Sequence, residues 1–205
     1  MVNPKEINVR AFDKRAVPQL APLTEYELLF VEDASTPIDL EIGCGVGWHP
    51  IAYAQNNPDR KLIAIEHTAE KFKKFEGRFQ KHQLKNLLPV HANAISWVTT
   101  HLKEESLDRV LLLYPNPNPK DRSKRWICMP FMKQLLSCLK NEGELVMASN
   151  EGFYIEEVLD YAQNFWKLKL MKHEAVKIPR THFEKKYLQR GETCTELVFK
   201  KIIER

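Results

Sequence analysis

The chain has 205 residues, with 31 Lys and Arg against 27 Asp and Glu and a formal net charge of +4. That length suits one domain with a full core and is short for two. A 43% hydrophobic and 28% charged composition excludes a disordered or fibrous chain, and no apolar run reaches the roughly 20 residues that span a bilayer.

The mild basic balance allows an anionic partner without requiring one. Cys44, Cys128, Cys138 and Cys194 form no CxxC pair, so reduced thiols are expected, with no zinc or redox site. The opening MVNPKEINVRAFDKR lacks the apolar stretch of a signal peptide, and the expectation is a soluble, cytoplasmic protein.

In chain order, residues 1–36 read as an N-terminal arm with one helix near Tyr26–Val31, and 37–205 as one α/β domain. Ile38–Gly43 reads as a strand closed by glycine, IAYAQ as a short helix and Lys61–Glu66 as a second strand. In TAEKFKKFEGRFQKH, Phe72, Phe75 and Phe79 recur at helical spacing, which fits an apolar stripe on a core better than a nucleic-acid helix. LPVHA reads as a strand, ISWVTTHL as a helix, LDRVLLLY as a fully buried strand and Trp126–Lys140 as a single helix. GELVMAS follows as a strand, Phe153–Phe165 as a helix, and KLKLMKHE and CTELVFKKI as the last two strands. Such alternation predicts a mostly parallel sheet with helices on both faces.

Two segments carry chemistry. The first strand ends in EIGCGVG, with Glu41, Gly43, Gly45 and Gly47. Glycines there let the backbone turn sharply and let a ligand approach it. The spacing is GxGxG, not the dinucleotide GxGxxG, and the Lys-Ser/Thr of a phosphate-binding loop is absent. Glu66, closing the second strand, stands where a carboxylate accepts from both hydroxyls of a ribose. A nucleoside held without phosphates points to S-adenosylmethionine.

The other segment is YPNPNPKDRSKRW, Tyr114 to Trp126, leaving the carboxyl end of the fourth strand beside that turn. Asn116 and Asn118 each precede a proline, which predicts extended backbones and amides aimed with little freedom. Lys120, Arg122, Lys124 and Arg125 offer charge for phosphates, offset in part by Asp121. The loop reads as built to hold a nucleobase and its backbone.

These pieces, with Asn93–Ala94, ASNEGFY at 148–154 and PRTHFEKKYLQRGETCTELVF, resemble bacterial tRNA (guanine-N7)-methyltransferases from about Pro37 to Lys201. The resemblance implies a Rossmann-like S-adenosylmethionine-dependent methyltransferase fold over 37–205, with a mostly parallel seven-stranded sheet. It implies methyl transfer to guanine N7 in tRNA, with no metal and no membrane, by a monomer or homodimer. It carries the donor site onto Glu41, Gly43, Gly45, Gly47, Glu66, Asn93 and Ala94, with Leu113 nearby. Asn116 takes the catalytic position, and substrate contacts fall on Lys120, Asn150, Thr181 and Glu184.

The family's loop usually reads Phe-Pro-Asp-Pro-Trp, so Asn116 replaces its acid and Asn118 its tryptophan; Ser149-Asn150 stands for a Thr-Asp pair. Such losses leave open a small heterocycle or another nucleobase nitrogen as acceptor, or an impaired tRNA-binding relative. Thr181 and Glu184 also have the spacing of a helix capping box. Trp48 and His49 read as helix-start packing and a cap neighbour, and His173 and His182 as structural or solvated residues.

Overall fold

A computed structural model describes residues 9–202. Strand β1 (Ile38–Ile42) is buried throughout, including its two carboxylates. Buried Asp39 is satisfied: Arg60 donates to both its oxygens, and the Tyr53 hydroxyl donates at 2.6 Å. Burial first, then the Asp39 charge, push the Tyr53 hydroxyl up to about 12.

Around β1 the sheet is ordered β3-β2-β1-β4-β5-β7-β6. Its parallel members are β2 (Lys61–Glu66), β3 (Leu87–His91), β4 (Leu107–Leu113) and β5 (Leu139–Ser149). Strand β7 (Thr195–Lys200) inserts antiparallel between β5 and β6 (Lys169–Ala175). Side chains alternate between faces, as a period of two requires. Leu62 and Ala64 enter one apolar cluster with Phe75 and Ile51; Ile63 and Ile65 enter the other with Phe131 and Phe199.

Helices cover both clusters: α2 (Trp48–Asn56), α3 (Ala69–His82), α4 (Ala94–His101), α5 (Phe131–Cys138) and α6 (Gly152–Asp160). In α3, Phe75 is fully buried, with Phe72 and Phe79 packed beside it. Before the sheet lies α1 (Glu25–Glu32), opened by a Thr24–Glu27 capping box. Val9, Phe12, Leu20 and Leu23 pack on the larger cluster, Phe12 meeting Phe131 edge-on at 5.7 Å.

Several expectations are corrected. Trp126–Lys140 is not one helix: a 3-10 turn over Trp126–Cys128 precedes α5, and Leu139 and Lys140 belong to β5. Pro130 lacks an N–H and disfavours helix in the residue before it, so Met129 is extended at φ −76, ψ 142. Helix α6 ends at Asp160, and Tyr161–Phe165 form a wider π turn. In LDRVLLLY, Asp108 and Arg109 are half-buried, and Tyr114 has left the strand with φ 53. Helix α2 begins at Trp48, with Pro50 in the first turn, where no N–H is needed. Past β6 runs α7 (His182–Gln189), of which the sequence reading held only the capping pair.

Candidate active site

At the carboxyl ends of β1, β4 and β5 opens a crevice of about 520 Å³. The end of β1 and its turn into α2 contribute Glu41, Gly43, Gly45, Trp48 and His49; Leu113 ends β4 and Tyr114–Pro117 follow it, Ser149 ends β5 and Asn150–Glu151 follow it, and Thr181–Phe183 and Tyr187 close the far wall. Such ends are where open α/β sheets bind ligands.

Two glycine roles are separable. A Cβ on Gly43 (φ +79) or Gly45 (φ +63) would meet nothing within 4 Å, so the backbone faces open space. A Cβ on Gly47 (φ +82) would lie 2.0 Å from the Phe75 ring, so this position is set by packing. Glu66 braces the turn: its Oε2 accepts the Gly45 N–H at 2.8 Å and its Oε1 the Thr68 N–H at 2.7 Å. Glu41 is buried, and its Oε2 pairs with His49 Nδ1 at 2.7 Å. Burial first, then the charges of Glu41 and Glu66, raise the Cys44 thiol well above its ordinary range. Asn93 caps α4, its Oδ1 accepting from the Ile95 and Ser96 N–H groups, and Ala94 begins that helix buried.

After β4 the backbone bends through Tyr114. Asn116 is exposed, and its Oδ1 accepts the Asn118 N–H at 3.0 Å. The expectation that Asn118 is extended is corrected: it has φ 40, a left-handed conformation asparagine tolerates. Its own amide holds the turn, donating to the carbonyls of Asn116 and Lys124.

The expectation that these four cations offer charge for phosphates, offset only in part by Asp121, is also corrected. Arg125 is buried, donating to both Glu157 oxygens at 2.8 Å and to the carbonyls of Asn118 and Pro119. Arg122 pairs with Glu157 at 2.7 Å, and Lys124 with Asp121 at 3.1 Å. Lys120 alone of the four makes no ion pair among the described residues. Buried arginines need counter-charges, and here they lock the loop to α6.

On the far wall, Thr181 and Glu184 form a capping box opening α7. Glu184 is fully buried and accepts from Tyr114 Oη, Arg180 Nη2 and the Arg180 and Thr181 N–H groups. Arg180 also donates to Glu196. Phe183 is 48% exposed, its ring stacked with Tyr114 at 6.0 Å and Tyr187 at 5.5 Å. Asn150 donates to Glu192 Oε2 at 3.3 Å.

The crevice thus brings together Glu41, Gly43, Gly45, Leu113, Asn116, Asn150 and Thr181. Gly47, Glu66, Asn93, Ala94, Lys120 and Glu184 lie outside its lining. Sequence reasoning passed over the Tyr114–Phe183–Tyr187 wall, although Phe183 and Tyr187 sit at i, i+4 behind a recognisable cap. It also passed over Glu157, whose pairing with Arg125 spans 32 residues and leaves no local signal. Among the described residues no cluster of three His, Cys, Asp or Glu could hold a metal, and no helix is long and apolar enough to cross a membrane.

A sheet of this order with its last strand reversed, and a glycine turn facing the crevice beyond β1, defines a Rossmann-like methyltransferase fold. Residues 35–197 match a family model described as "Putative methyltransferase". The chain belongs to the tRNA (guanine-N7)-methyltransferase family. It is 30% identical over 175 residues to the tRNA (guanine-N(7)-)-methyltransferase of Nitrosomonas eutropha, covering 82% of this chain and 77% of that one. The relative of the same name from Paramagnetospirillum magneticum is 34% identical, covering 68% of this chain and 59% of its own length. The chain spans about three fifths of the length of the first curated relatives it matches. A solved 30S ribosomal A1408 methyltransferase from an uncultured bacterium shares the fold, with a TM-score of 0.61 at 14% identity, covering 91% of this chain and 98% of that one.

Proposed function

We propose that the chain transfers the methyl group of S-adenosylmethionine to N7 of guanine in tRNA. The observation that supports this best is the meeting, in one crevice, of the open glycine turn with the amides of Asn116 and Asn150. The residues fit the donor. No side chain fills the space over Gly43 and Gly45, and buried Glu41 keeps Oε1 without a partner among the described residues. Glu41 would hold the donor's amino group and Glu66 its ribose, with Asn93, Ala94 and Leu113 completing that side. When bound, the donor supplies an electrophilic methyl on a sulfonium.

Guanine N7 carries a lone pair and no proton, so the chain needs no general base. Its task is orientation, which alone accounts for a large share of the barrier in such displacements. Asn116, whose Oδ1 accepts the Asn118 N–H with one lone pair, keeps the other for a guanine N–H. Asn150, whose N–H is held by Glu192, keeps its carbonyl for a base N–H. Phe183 offers an aromatic face to a base taken out of its stack. Thr181 borders the same wall, Glu184 holds it from behind, and Lys120 meets the RNA backbone.

The test is incubation with methyl-labelled donor and unmodified tRNA, followed by nucleoside analysis. Label in N7-methylguanosine is the expected result. Donor binding without label in any RNA would overturn the proposal.

A further inference from the structure

The glycine turn carries a histidine that the chemistry above does not use. His49 lies in the first turn of α2, is 6% exposed and borders the crevice. Its Nδ1 lies 2.7 Å from Glu41 Oε2. A neutral imidazole with its proton on Nδ1 donates there and leaves the carboxylate its full charge. The same bond fixes the carboxylate plane, since Glu41 Oε1 has no partner among the described residues to hold it. Tyr53 packs against the imidazole at 5.6 Å, and its hydroxyl is committed to Asp39.

We infer that His49 is a positioning residue for donor binding: it orients Glu41 toward the donor's cationic amino group and competes with that group when protonated. This rests on the donor reading above. Glu41 then faces two candidate cations, one on each oxygen of a buried carboxylate. With imidazolium on Oε2, the pair is neutral and the attraction for a second cation falls. Protonation of His49 and binding of the cationic donor therefore oppose each other, so affinity drops as the medium is made acid.

The other titratable groups bordering the crevice are Cys44 in the turn, Lys71 of α3, Tyr114 after β4, Glu151 before α6, and His182 and Tyr187 of α7. His182 is exposed and brings a second imidazole to the crevice wall, so the wild-type slope alone does not assign the effect. Substitution at 49 does.

The experiment is calorimetric titration of the full chain with S-adenosylmethionine between about pH 7.5 and about pH 5.5. Wild type should lose about threefold to tenfold in affinity across that interval. His49→Asn, which retains an N–H donor and does not titrate, should bind with little slope. His49→Leu should bind weakly at both ends, with thermal unfolding confirming that it is folded. The inference is overturned if His49→Asn keeps the wild-type slope or if folded His49→Leu binds as tightly as wild type. Wild type that binds no donor at any pH overturns the donor reading itself, and the inference with it.

Discussion

The Tyr114 hydroxyl donates a 3.0 Å hydrogen bond to Glu184 Oε1, joining the residue that leaves β4 to the first turn of α7. Burial, ahead of its neighbours, pushes the Tyr114 hydroxyl far up, so it remains a donor throughout the neutral range. Both crevice walls therefore hang on one buried carboxylate.

Glu184→Gln should cost about 1–3 kcal/mol at neutral pH, the worth of hydrogen bonds to a charged group. Burial acts to raise the Glu184 pKa, and the hydrogen bonds and charge of Arg180 outweigh it, holding it below its ordinary 4.5. A depressed folded-state pKa means the contribution is complete above the ordinary value and lost as pH falls through the folded one. Urea unfolding of both proteins should thus show a gap at neutral pH that closes in acid. Equal midpoints at neutral pH would refute the role.

Gly43→Ala and Gly47→Ala should fail differently. At Gly47 the added methyl would meet the Phe75 ring at 2.0 Å, and φ is +82, so the expected loss is stability, about 1–3 kcal/mol or more. At Gly43 there is open space, so that variant should fold with only the strain of its φ while donor affinity falls. Thermal unfolding beside donor titration separates the two.

Asn116→Asp restores a charge at the loop position while keeping an oxygen for the Asn118 N–H. Hydrogen bonds to charged groups exceed neutral ones by about 1–2 kcal/mol, so turnover on guanine should rise about tenfold. Unchanged turnover at saturating donor and RNA would show that charge at this position does not limit the reaction.

Lys120→Ala should lower the salt dependence of RNA binding by about one unit of slope, the signature of one phosphate contact. Arg125→Ala should leave the slope unchanged and cost about 1–3 kcal/mol in stability, because its guanidinium serves Glu157 and two carbonyls. Binding isotherms at several salt concentrations decide between them.

The sheet was legible because its signals are local: a short apolar run closed by an acid in KLIAIE, phenylalanines at helical spacing in α3, and glycine where β1 must turn. Pro130 was equally visible, and the apolar run around it masked the break it imposes. At Asn118 the rule for residues before proline was overridden by three hydrogen bonds that its amide and N–H make within the turn. The cations of the loop looked available because nothing near them in sequence neutralises more than one. The counter-charge of Arg122 and Arg125, Glu157, lies on α6 and becomes visible only when the chain is folded.

The insertion of β7 between β5 and β6 bears on the order of assembly. The glycine turn and its acids belong to strands that pair through contiguous βαβ units, whereas α7 sits in the connection from β6 to β7. The wall that faces the glycine turn is thus made by a stretch of chain synthesised after every strand that carries the turn and its acids.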